Sequence, residues 1–91
     1  MKLVKKHKNK NLDQLTYFIG FMIPILTIPQ TYNVIISKQT LGVSLATWSF
    51  YLFASLLFAW FGIVHKEKLL IITYVPLAIL EILIVVGLIL Y

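Results

Sequence analysis

The chain has 91 residues, 60% of them apolar and only 12% charged, with a net charge of +5 and a mean hydropathy of +0.94. A soluble domain carries about 25% charged residues, so a water-soluble globular fold is excluded. The chain has no cysteine, which excludes disulfides, thiolate chemistry and cysteine-based metal sites.

The chain opens on a basic flank over residues 1–11 that holds five of the eight lysines, Lys2, Lys5, Lys6, Lys8 and Lys10. A signal peptide also starts basic, but its short apolar core ends at a small-residue cleavage site. Here the apolar run continues to Ile36. The flank therefore reads as a solvated juxtamembrane segment. Its lysines lack interleaved aromatics, so nucleic-acid binding is not expected.

A single membrane domain is expected over 12–91, with spans over 12–36, 43–64 and 69–91. Each is about 22–25 residues, enough to cross a bilayer with some tilt. The first span holds Pro24 and Pro29 and is expected to bend or break. Asp13 suits its start, where a carboxylate meets unpaired N–H groups. A polar turn, Ser37 to Gly42, leads to the second span, which is rich in aromatics: Trp48, Phe50, Tyr51, Phe53, Phe58, Trp60 and Phe61. Trp48 and Tyr51 at one end, and Trp60 and Phe61 at the other, read as interfacial belts. The turn His65-Lys66-Glu67-Lys68 leads to the third span, which holds Pro76 and Glu81.

Three helices do not enclose a solute. A chain this small that works across a membrane must assemble, and a twofold dimer is the commonest solution. An odd number of spans puts the termini on opposite sides, so the expected assembly is a parallel homodimer of six helices, surrounded by lipid. Lysine counting places the N-terminus inside, because only Lys38 falls on the other side.

Pro29-Gln30 is a helix breaker beside a polar amide, inside an apolar run. From the residues alone, Pro29 marks either a static kink or a hinge. The pair is followed by Lys38-Gln39-Thr40, then Val43-Ser44, then Trp60-Phe61-Gly62 and a charged turn. In this order the chain resembles the PQ-loop family, and within it the bacterial SemiSWEET sugar transporters. The resemblance runs from Pro29 to about Pro76.

The resemblance implies a three-helix protomer acting as a parallel homodimer in the bacterial inner membrane. It implies that Pro29 is a hinge for alternating access, with Gln30 satisfying the backbone at the bend. Family positions for a substrate-binding tryptophan and asparagine fall on Phe58 and Tyr74. Phe58 retains a flat face without the indole N–H; Tyr74 retains a hydroxyl on a larger side chain. The family's extracellular gate falls on Phe61, His65 and Glu67. That placement puts the second turn outside, against the lysine count, and leaves orientation open.

Glu81 is the only acidic residue deep in a span, and a carboxyl group at that depth is a functional candidate by default. It follows Tyr74 by seven residues, on about the same face, about 10 Å further along. Three roles are open to it: lining a pathway for substrate or proton, bonding to a partner helix, or reaching interfacial water. Tyr32 and Asn33 are polar groups near the end of the first span. His7 and His65 lie far apart and make a poor metal pair. No catalytic triad, phosphate-cradling loop or metal cluster is visible in the sequence, so neither an enzyme nor a cofactor is expected. The expected function is transport of a small neutral solute, most simply a mono- or disaccharide. The alternatives are proton-coupled export of an amino acid or other polar metabolite through Glu81, and a non-transporting membrane subunit.

Overall fold

The computed structural model describes residues 10–91; the lysines and His7 ahead of Lys10 lie outside the described residues. Three helices follow one another: α1 over Lys10–Ile35, α2 over Leu45–His65 and α3 over Lys68–Leu90. Each is long and apolar enough to cross a membrane, so the chain is an all-α integral membrane protein. Lys10 and Asn11, expected in the flank, are the first residues of α1.

The boundaries have local causes. Helix α2 starts at Leu45 rather than 43 because Ser44 is its N-cap: the Ser44 hydroxyl accepts from the Thr47 N–H at 3.2 Å. It ends where Lys66 turns left-handed, with φ of 56°. The Glu67 N–H then donates to the Gly62 carbonyl at 2.8 Å, the hydrogen-bond pattern of a tight helix stop. Gly62 is required there: a Cβ would stand 2.8 Å from Leu70 Cβ and 3.2 Å from the Ile71 nitrogen.

Helix α1 does not break. It runs as one helix through both Pro24 and Pro29. Pro24 has no N–H, so the Gly20 carbonyl one turn earlier has no intrahelical donor. The Thr73 hydroxyl of α3 donates to that carbonyl instead, at 2.9 Å and fully buried. A neighbouring helix has re-satisfied the freed group, as membrane helices require.

Helix α3 lies between the other two, which do not pack on each other. It runs parallel to α1, with Gly20 against Thr73 at one end and Gly87 against Val34 at the other. Without a hydrophobic force between helices in lipid, small residues that allow close approach hold such contacts. The two fully buried large side chains, Val34 and Ile84, lie on this side. The outer surfaces stay apolar and exposed, including Leu26, Phe50, Phe53 and Trp60, as a lipid-facing surface should.

Candidate functional site

Because α1 and α2 do not touch, a cleft of about 330 Å³ opens between them, with α3 as its floor. This volume is at the small end for ligand sites, about 300–1,000 Å³. Helix α3 contributes Tyr74, Leu77 and Glu81 to it. These residues repeat at three and four positions, so one face of α3 carries all of them. Helix α2 contributes Trp48, Tyr51, Ser55 and Phe58, again at three- and four-residue spacing. From α1 come Ile23 and Thr27.

The two positions expected to bind substrate meet directly. The rings of Phe58 and Tyr74 have centroids 5.2 Å apart and planes tilted by 38°, within the range of favourable aromatic pairs. Toward the other end of the cleft, Trp48 and Tyr51 form an edge-to-face pair at 5.3 Å. Both line the cleft.

Glu81 and Ser55 lie between these two aromatic pairs. Ser55 is the central residue of α2, and Glu81 lies two residues past the centre of α3. Both are buried, at 2% and 3% exposure. Glu81 is thus enclosed by the helices rather than set on the outer surface. Its Oε1 has no hydrogen-bond partner, and Ser55 of α2 lines the cleft with it. The Thr27 hydroxyl donates to the Ile23 carbonyl of its own helix at 2.8 Å. Thr27 lines the cleft, and its hydroxyl oxygen retains acceptor capacity.

The expected hinge pair lies off the cleft. Pro29 is exposed and Gln30 half-buried on α1, and neither lines the hollow. The Gln30 amide forms no hydrogen bond to the α1 backbone. With the helix unbroken, one carbonyl at each proline needs a donor, and at Pro24 that donor is Thr73. Among the expected gate residues, Phe61 and His65 stack at 4.2 Å with planes 36° apart. Glu67 is the N-cap of α3 without a side-chain capping bond, and it forms no ion pair with His65 within the chain. At the opposite end, Lys38 lies over the Tyr91 ring, 5.1 Å from its centroid. Tyr32 and Asn33 act there through their backbone: the Asn33 carbonyl accepts from the Gln39 N–H at 2.9 Å. No group of three or more metal-ligating side chains occurs among the described residues.

Sequence reasoning missed four polar or aromatic lining residues: Thr27, Trp48, Tyr51 and Ser55. The signal for three of them was present, since Trp48, Tyr51, Ser55 and Phe58 form one helical stripe.

Comparison with curated proteins finds the "Sugar transporter SemiSWEET" of Vibrio sp. (strain N418), 40% identical over 60 residues. The match covers 64% of this chain and 62% of that protein's own length. No protein-family model matches the chain, and no solved structure matches it.

Proposed function

We propose that two copies of the chain form a parallel six-helix homodimer that moves a mono- or disaccharide across the bacterial inner membrane by alternating access. The observation that carries this reading is the cleft at mid-helix depth, lined by rings and hydroxyls and open on one side in a single chain. A second copy facing it through a twofold axis would enclose it. Sugars suit such a lining, because their C–H faces stack on rings and their hydroxyls donate and accept. The similarity to a protein named a sugar transporter supports the same class.

In this account Phe58 and Tyr74 contact the solute. Pro29, with Gln30 beside it, is the hinge on which α1 moves, and Phe61, His65 and Glu67 close one end. No cofactor, metal or enzymatic step enters. Uptake of labelled glucose and sucrose into proteoliposomes tests the reading. Uptake that ignores a pH gradient supports it.

A second reading is favoured by one observation, the unpartnered oxygen of Glu81. It is proton-linked movement of an amino acid or other polar metabolite. Uptake that needs a pH gradient and is lost in Glu81→Gln would establish it. A folded dimer that moves no solute in a broad panel would leave the third reading, a non-transporting membrane subunit.

A further inference from the structure

A neutral sugar offers Glu81 hydroxyl donors but no positive charge to match a carboxylate. Glu81 is 3% exposed, it lines the cleft, and its Oε1 has no hydrogen-bond partner. Most buried polar atoms are hydrogen-bonded, and each exception needs an explanation. A carboxyl oxygen of this kind accepts hydrogen bonds whether or not the group carries a proton. What the site lacks is therefore a donor.

Among the described residues, no cation meets it. No lysine, arginine or histidine lines the cleft. The lysines of the described residues, Lys10, Lys38, Lys66 and Lys68, stand at helix ends and turns. The other titratable side chains facing the carboxyl are the phenols of Tyr51 on α2 and Tyr74 on α3, and α1 presents none. Neither phenol brings positive charge. A second copy packed through the same face would bring the same lining, and so no base either.

The walls add a second requirement. Trp48, Tyr51, Phe58 and Tyr74 surround the carboxyl with rings. Ring faces attract ammonium groups within about 6 Å of their centroids. An unmet acceptor among aromatic faces, with no base nearby, is complementary to a cationic donor.

We infer that the cleft takes a small solute carrying a protonated primary amine, whose N–H donates to the Glu81 carboxyl once the side chain turns its enclosed oxygen into the cleft; within the sugars, this means an amino sugar. The inference rests on the proposed reading of the cleft as the solute site, and it narrows the sugar to one with an amine.

Calorimetric binding to the purified protein in nanodiscs at pH 7 tests this, with glucosamine, glucose and N-acetylglucosamine as probes. Glucosamine is expected to bind at least tenfold more tightly than either of the others. Acetylation removes the charge and bulk alone does not explain a loss, since glucose is smaller. Glu81→Gln retains the side-chain volume and is expected to abolish the preference. Equal affinity for glucosamine and glucose overturns the inference, as does binding of none of the three, or a preference that survives in Glu81→Gln. The wild-type comparison needs no variant, so a misfolded variant cannot mask failure. Binding is read without flux: an amine preference in a protein that moves no solute would refute the transport reading and leave this one standing.

Discussion

Pro24 and Pro29 stand five residues apart in the same helix and meet opposite surroundings. Pro24 is buried against α3, and the carbonyl it frees, that of Gly20, accepts a buried hydrogen bond from Thr73. Pro29 is exposed, and the carbonyl it frees, that of Ile25, has lost its donor four residues on. The first proline is tied to the neighbouring helix by a short bond and a glycine contact. The second has no side-chain donor of that kind, although the helix beyond it packs on α3 through Val34 and Gly87. A proline frees the backbone to bend, but only a proline whose surroundings leave it loose makes a hinge. Helix α1 should therefore be held on α3 at Gly20 and again at Val34, with bending concentrated at Pro29 between them.

The comparison breaks most visibly if the glycine contact is filled. A Cβ at Gly20 would stand 2.6 Å from Thr73 Oγ1 and 2.7 Å from Leu69 Cδ1. Gly20→Val is expected to lose about 1–3 kcal/mol of stability, read as a lower thermal midpoint in detergent. An unchanged midpoint would show that α1 and α3 are not tied there. The two prolines should then separate by readout. Pro29→Ala is expected to cut solute flux at least tenfold with an unchanged thermal midpoint, whereas Pro24→Ala should retain flux. If the two variants transport alike, the distinction between them fails. Thr73→Val removes the donor to Gly20 and retains the shape. Interhelical hydrogen bonds in membranes are worth about 0.6 kcal/mol on average and up to about 1.7, so a loss of about 1 kcal/mol is expected; no loss would mean the bond holds nothing. The smallest effect lies outside the comparison, at Lys66, whose φ of 56° suits glycine. Lys66→Gly should be neutral to stabilising by about 0.5 kcal/mol, and a clear destabilisation would point to a role for that side chain.

The three helices were legible because apolar length is a strong signal, and their ends fell within two residues of expectation. The pairing of Phe58 with Tyr74 followed from family register, and the shared face of Tyr74 and Glu81 from a seven-residue spacing. Pro24 was opaque. A freed carbonyl is visible in the sequence, but its donor, Thr73, lies 53 residues away. Trp48 and Tyr51 were read as belt residues because an aromatic near a span end suits a belt and a cleft equally. The order of the helices, with α3 in the middle, brings both to the cleft. The break expected in α1 failed for a related reason: another helix supplied what the proline removed.

The central claim is that the cleft opens alternately to each side of the membrane. The chain has no cysteine, so Phe58→Cys places a single thiol on the cleft wall. Membrane-impermeant thiol reagents applied to oriented proteoliposomes would read its access. The account predicts reaction from either side, slowed when the transported solute is present. Reaction from one side only, or from neither, would contradict it.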